Sequence, residues 1–222
     1  MTRNLKRLVV PIGLAFALAA IAAPVASAAF FKTEKPPTGL TADPITAIVF
    51  EPTAGGEKRV TCMGLAATGT LAVEQSEALT ISPTFSSCKI KIANEEVGAF
   101  VTMNGCDFRY TNKTVEAHAE LDIICPVGKE IEVEVSLFGG VKCFDIPGQT
   151  VEGINYETTL NVGIFDIDAK ATVKDLETTT TNSLACPTKS GKTEVHETGL
   201  FTGEITLKGD DAANKPKSIR YE

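Results

Sequence analysis

Tryptophan is absent, tyrosine occurs only three times and histidine only twice. A flat glycan-binding platform usually exposes Trp or Tyr ring faces, so carbohydrate recognition is not favoured. The eleven Phe fall mostly at alternating strand positions and read as core. No C-x-x-C, G-x-S-x-G, H-E-x-x-H or Gly-rich loop entering a helix is present, which removes the common zinc, nucleophile and phosphate signatures. Basic residues are also scarce, 21 against 28 acidic ones for a net charge of -7, and such a surface does not suit nucleic acid or anionic lipid.

The N-terminus has its own chemistry. Arg3, Lys6 and Arg7 precede an apolar run from Leu8 to Ala23 and then Ala26-Ser27-Ala28, the pattern of a secretory signal peptide. The run is short for a membrane span and is interrupted by Pro11 and Gly13. The expected organisation is a signal peptide over 1–28, an extended entry segment over 29–44 and a single β domain over 45–222, with no membrane insertion after cleavage. Removing the three leader cations lowers the basic count from 21 to 18 against 28 acidic residues, about -10 in net charge.

Short strand candidates recur roughly every ten residues, with Gly and Pro between the runs and Thr, Val and Ile within them. They are Ile45 to Phe50, Arg59 to Met63, Ala67 to Val73, Leu79 to Phe85, Cys88 to Ala93, Gly98 to Met103 and Asp107 to Thr111, then, after a central meander, Ile154 to Leu160, Phe165 to Val173, Val195 to Phe201, Glu204 to Lys208 and Ser218 to Tyr221. No long helical period follows Ala28. The predicted fold class is all-β, an antiparallel sandwich or open barrel of about twelve short strands.

The meander from Val115 to Ile146 carries the clearest alternation. Ala117, Ala119, Leu121 and Ile123 alternate with Glu116, His118, Glu120 and Asp122, and Ile131, Val133, Val135 and Leu137 alternate with Glu130, Glu132, Glu134 and Ser136. Pro126-Val127-Gly128 suits a tight turn. Closing a hairpin there opposes Leu121 to Val133 and Ile123 to Ile131, and a turn at Phe138 to Val141 opposes Val135 to Phe144 and Val133 to Ile146. That register lines up Glu120, Glu134 and Asp145 in one row, with Asp122 opposite Glu132. Like charges so placed are destabilising, and calcium on the row is the specific hypothesis that would relieve them. A solvated face is the simpler reading.

All six cysteines, Cys62, Cys88, Cys106, Cys125, Cys143 and Cys186, follow the leader, and an even count in an exported chain argues for disulfides. Six cysteines allow fifteen pairings. The meander places Cys125 and Cys143 on opposite faces, so those two should not meet, and the preferred set is Cys62–Cys88, Cys106–Cys125 and Cys143–Cys186. The last would tie down the long loop from Glu177 to Lys192. His118 shares a face with Glu120 and Asp122 and is a candidate zinc or acid–base group; an exposed strand histidine is the commoner case. His196, in T-E-V-H-E, has Glu194 on its own face.

Smaller signals have plain readings. Asp210-Asp211 lacks the spaced oxygens of a calcium loop and reads as a polar turn, and Asn112-Lys113-Thr114 is a formal glycosylation sequon read as a turn. Gly64 to Val73 and Gly199 to Leu207 share a G-L…T-G pattern too short to claim a duplication.

L-T-I-S-P-T-F-S-S-C (Leu79 to Cys88), V-T-M-N-G-C (Val101 to Cys106), D-I-I-C-P-V-G-K-E-I (Asp122 to Ile131) and T-G-E-I-T-L-K-G (Thr202 to Gly209) resemble a group of secreted bacterial β-rich proteins with an M-N-G-C / C-P-x-G-K pattern. The resemblance implies export and brings no activity or ligand with it. The expectation is a non-catalytic structural or interaction protein of the cell exterior or envelope. The alternatives are a calcium- or glycan-binding module and a secreted hydrolase using paired carboxylates such as Glu120 and Glu134.

Overall fold

The computed structural model describes residues 30–222 except 57, 93–94, 113–118, 138–139, 184, 189, 212 and 214. The expected leader, the residues Lys113 and Thr114 of the sequon, and His118 lie outside the described residues. The described chain is antiparallel β throughout its pairings. Its strands are β1 (Phe31–Thr33), β2 (Thr38–Pro44), β3 (Ile48–Glu51), β4 (Arg59–Leu71), β5 (Gln75–Ser76), β6 (Ala78–Ile92), β7 (Glu95–Thr102) and β8 (Asp107–Thr111). They continue with β9 (Ala119–Ile124), β10 (Ile131–Val135), β11 (Val141–Ile146), β12 (Gln149–Asn161), β13 (Ile164–Thr180), β14 (Glu194–Asp210), β15 (Pro216–Lys217) and β16 (Ile219–Tyr221).

One large sheet closes on itself twice. The pairings β4–β6–β8–β9–β12–β13–β14–β2–β4 form one ring. A second ring runs β4–β6–β7–β10–β11–β13–β14–β3–β4. Each has about eight strands, a size whose interior side chains just fill, and closure leaves few unpaired edges. The rings share two long ribbons, β4–β6 and β13–β14. Leu71 to Ala67 of β4 borders the first ring, and Cys62 and Val60 border the second.

A strand that serves both rings must change the face it buries, and all four show an irregularity where the rings meet. On β4 the buried residues are Val60 and Cys62, then Leu65 and Ala67; on β6 they are Leu79, Ile81 and Phe85, then Cys88 and Ile90. The switch falls at Met63 and Ser87, and Ser87 takes a positive φ of 51°. On β13 the buried set passes from Ala171 and Val173 to Leu176 and Thr178, with Asp175 at φ 60° and a register shift against β14. Sequence alternation therefore breaks inside single strands. The expected runs beginning at Arg59 and Ala67 belong to the one strand β4; two further pairs of expected short runs merge in β6 and β14, and the single run Phe165 to Val173 lengthens into β13. Four phenylalanines pack at this junction: Phe50 and Phe85 at 5.2 Å between ring centres, Phe50 and Phe201 at 5.0 Å, and Phe108 and Phe201 at 5.9 Å.

The meander is corrected. The turn after β9 does form, with the Lys129 N–H donating to the Pro126 carbonyl at 2.9 Å and Gly128 at φ 71°, a conformation glycine adopts without strain. The strands it joins do not pair. β9 lies between β8 and β12, and β10 lies between β7 and β11, so the turn is a crossover from one ring to the other. Turn chemistry is the same for a hairpin and for a crossover, which is why the sequence suggested the wrong partner. β10 does pair with β11, but in a register two residues away from the expected one, Val133 opposite Phe144 and Ile131 opposite Ile146, with a shift at Glu134. Moving by two keeps the same residues facing the core.

The disulfides are Cys62–Cys88, Cys106–Cys125 and Cys143–Cys186. The pairs coincide with the preferred set, although the register used to separate Cys125 from Cys143 does not occur. Cys106–Cys125 staples the β7–β8 crossover to the β9–β10 crossover, where Asn104 Nδ2 also donates to the Glu130 carbonyl at 3.0 Å. The expected entry segment joins the sheets: β2 fills the place between β14 and β4, and β1 sits between β16 and β5. Phe31 of this small sheet packs on Tyr156 and Tyr221, each at 5.3 Å.

The G-L…T-G likeness has a structural cause. Gly64 and Gly199 both lie at the ring junction, Gly64 beside the Ser86 hydroxyl and Gly199 against the Leu176 and Glu51 carbonyls, where a Cβ would collide with backbone. Similar positions at the junction accommodate similar small residues.

Replacing Cys106 and Cys125 together by Ser should lower stability by about 3 kcal/mol, the loop-closure value for a bridge of this span. Urea unfolding under oxidising conditions reads it. An unchanged midpoint would mean that the crossovers hold without the staple.

Candidate functional site

The sequence-derived row of carboxylates is not assembled. Glu120 on β9 stands opposite Glu152 and Thr111, while Glu134 on β10 stands opposite Lys142 and Phe100. Asp122 is 3.8 Å from the Arg109 guanidinium and accepts from Thr150 Oγ1 at 2.7 Å. Only Glu132 and Asp145 are direct neighbours, and Lys142 lies between them, 3.1 Å from Glu132 and 2.8 Å from Asp145. The expected register opposed Asp122 to Glu132 and Glu134 to Asp145; in the structure the opposed pair is Glu132 and Asp145, and it needs compensation. Lysine supplies it.

The surroundings separate the two acids. A hydrogen bond from Asn104 and then Lys142 holds Glu132 below the usual carboxylate range, whereas burial pushes Asp145 upward against the pull of Lys142. Burial opposes the charge on Lys142, but its hydrogen bonds to Asp145 and Glu132 outweigh that and raise its pKa. Among the described residues, no three His, Cys, Asp or Glu side chains gather in a way that could hold a metal ion. The Asp211 carboxylate accepts from the Ala213 and Lys215 amides at 2.8 and 3.0 Å, closing a local turn.

Titratable groups converge elsewhere, in a hollow of about 190 Å³ at the end of the second ring. Its floor comes from the start of β14, which brings Glu194 and His196 to the rim, and from Thr180 at the end of β13. The pairings Thr178–His196 and Thr180–Glu194 fix these positions. One wall is the turn after β3. Buried Glu51 holds this turn by accepting from Arg59 Nε at 2.6 Å and from the Gly55 amide at 3.2 Å, and Thr178 Oγ1 donates to the Pro52 carbonyl at 2.9 Å. The other wall is the loop anchored by Cys143–Cys186. There Asn182 Nδ2 donates to the Gly191 carbonyl at 2.8 Å and Asn182 Oδ1 accepts from the Thr188 amide at 3.0 Å.

Lys58 enters this hollow half-buried, its Nζ donating to the Cys186 carbonyl at 3.3 Å. Burial holds its pKa below the ordinary lysine value, with the Glu194 charge opposing the shift. His196 Nε2 is 3.0 Å from Thr180 Oγ1 and 3.6 Å from Glu194 Oε2, and the Thr180 hydroxyl also reaches the Glu194 carbonyl at 3.3 Å. Both imidazole contacts use the same nitrogen. A nucleophile relay needs one ring nitrogen for the hydroxyl and the other for the orienting acid, so this arrangement holds the ring without activating Thr180.

Sequence reasoning noted that Glu194 and His196 share a face but missed Lys58 and Thr180. Lys58 and Cys186 are separated by 128 residues, and no local pattern links them. The length of the Glu177 to Lys192 loop and the disulfide pairing pointed toward this region, but not to its chemistry. Two larger hollows carry less chemistry. One, about 570 Å³, is lined by Ser86, Ser87 and Phe100 beside β6 and β7, and the other, about 310 Å³, is crossed by the ion pairs Lys32–Glu222 and Arg220–Glu34. No protein family, curated protein or solved structure matches the chain.

Because the Lys58 pKa is lowered on folding, the unfolded chain binds more protons than the native one between the lowered and the ordinary value. Stability therefore rises with pH through that window. As the pH rises toward the ordinary lysine value, the wild type should gain stability relative to Lys58→Met, as read by thermal melts. A stability difference that does not move with pH would show that Lys58 is solvated.

Proposed function

We propose that the protein is an exported, disulfide-stabilised structural or interaction protein of the cell exterior that acts without catalysis. The observation that carries this reading is the pairing of all six cysteines within a sheet that closes two rings. Such bonds persist in oxidising compartments and are rare in reducing ones. A closed sheet also resists edge-to-edge association, which suits a protein that must last outside the cell without chaperones. The described residues contain no helix long and apolar enough to cross a membrane.

The hydrolase alternative loses its named pair, since Glu120 and Glu134 lie on strands that are not neighbours. The carboxylate row for calcium is likewise dispersed, and the ions at Glu132 and Asp145 are met by Lys142.

Fractionation of expressing cells tests the proposal, with N-terminal sequencing and crosslinking of the intact mature protein. The expected result is a chain beginning near Ala29 in the exported fraction, free of reactive thiols and crosslinked to an envelope or extracellular partner. Retention inside the cell with reduced cysteines would overturn it.

A further inference from the structure

We propose that the hollow around Lys58 binds small neutral aldehydes, hydroxyaldehydes in particular, by forming a reversible imine with the Lys58 amine. This goes beyond the proposed role at the cell exterior and does not depend on it.

The first argument is geometric. A lysine half-withdrawn into a concave site, with a carboxylate and an imidazole lining the same hollow, has the groups that imine chemistry needs. The amine must attack as the free base, and burial favours that form. A proton donor must then help hydroxide leave as water. Glu194 and His196 both line the hollow and lie 3.6 Å from each other, so the His196 imidazole can hand a proton to the reacting oxygen with the Glu194 carboxylate as its partner.

The step balances without any oxidant or reductant. The nitrogen lone pair forms the C–N bond while the carbonyl π pair takes up a proton and becomes a hydroxyl. The nitrogen sheds one proton, the C–O bond then breaks with protonation of the hydroxyl, and one water leaves. Loss of the last proton on nitrogen gives the neutral imine, and hydrolysis reverses the sequence.

Size and charge select the ligand class. A volume of about 190 Å³ is below the usual range for drug-sized ligands and fits a compound of a few heavy atoms. The Glu194 carboxylate lies beside Lys58 in the hollow, so the site favours neutral carbonyl compounds over keto acids and other anions. Thr53 and Thr188 add hydroxyls to the lining, and Pro52 and Pro187 add apolar walls. This mixture matches a short hydroxyaldehyde better than an alkyl one. The Cys143–Cys186 bond fixes the carbonyl that receives Lys58 Nζ, so the amine is positioned before a ligand arrives.

The experiment treats the oxidised mature protein with glycolaldehyde and cyanoborohydride at neutral pH and follows each lysine by peptide mass mapping. Lys58 should become alkylated at least roughly tenfold faster than exposed Lys170 and Lys174, within what a positioned proton donor contributes. Lys58→Arg should remove the fast adduct. Glu194→Gln should slow labelling at Lys58 several-fold and leave Lys170 unchanged, with folding checked by urea midpoint; His196→Gln serves if the first variant does not fold. Equal rates at the three lysines would overturn the proposal. So would a folded Glu194→Gln variant whose Lys58 reacts as fast as the wild type.

Discussion

Everything in this fold depends on four strands burying one face in the first ring and the opposite face in the second. A regular strand cannot do this, because its side chains alternate without interruption. The irregularities at Met63, Ser87 and Asp175 reset the alternation at the ring junction. On either side of the reset the apolar residues point inward again, so one continuous core runs from Leu40 and Leu121 to Ile131 and Val60. Two residues accept positive φ for this, Ser87 and Asp175, a conformation that costs on the order of 1 kcal/mol or more outside glycine. The phenylalanine cluster at the junction is the compensating gain.

The same junction organises the crossovers and the disulfides. Each of the segments β7–β8, β9–β10 and β11–β12 passes from one ring to the other, and the first two are joined by Cys106–Cys125. The third is braced by Gln149, which donates to the Glu177 carbonyl at 2.9 Å and accepts from the Glu177 amide at 2.8 Å. Cys62–Cys88 crosses the shared ribbon β4–β6 beside its reset. Cys143–Cys186 has a different role, since it pins a loop to β11 and thereby builds the hollow that holds Lys58.

Much of this was legible in the sequence, and the failures share one cause. Alternation located nearly every strand, and the even cysteine count, in a chain whose N-terminus reads as an export signal, led to disulfides. Alternation reports which residues share a face, however, and says nothing about which strand lies alongside. Leu121, Ile123, Ile131 and Val133 are all buried as their pattern implied, yet the two runs sit in different rings. The acidic row failed with that pairing, and the real charge cluster at Lys142 appeared only when β10 and β11 were in their true register. The Lys58 hollow was invisible because its parts come from the β3–β4 turn, the end of β13 and the start of β14. A reset of alternation inside a run, as at Cys62 to Leu65, is a readable signal, but by itself it looks the same as a strand boundary.

The double closure is the central claim, and interstrand nuclear Overhauser contacts of the isotopically labelled protein test it most directly. The structure predicts backbone contacts from Leu121 to Val151 and to Tyr110, and from Val133 to Val101 and to Phe144. Contacts between Leu121 and Val133 would instead place β9 and β10 in a hairpin, and the two-ring architecture would be wrong.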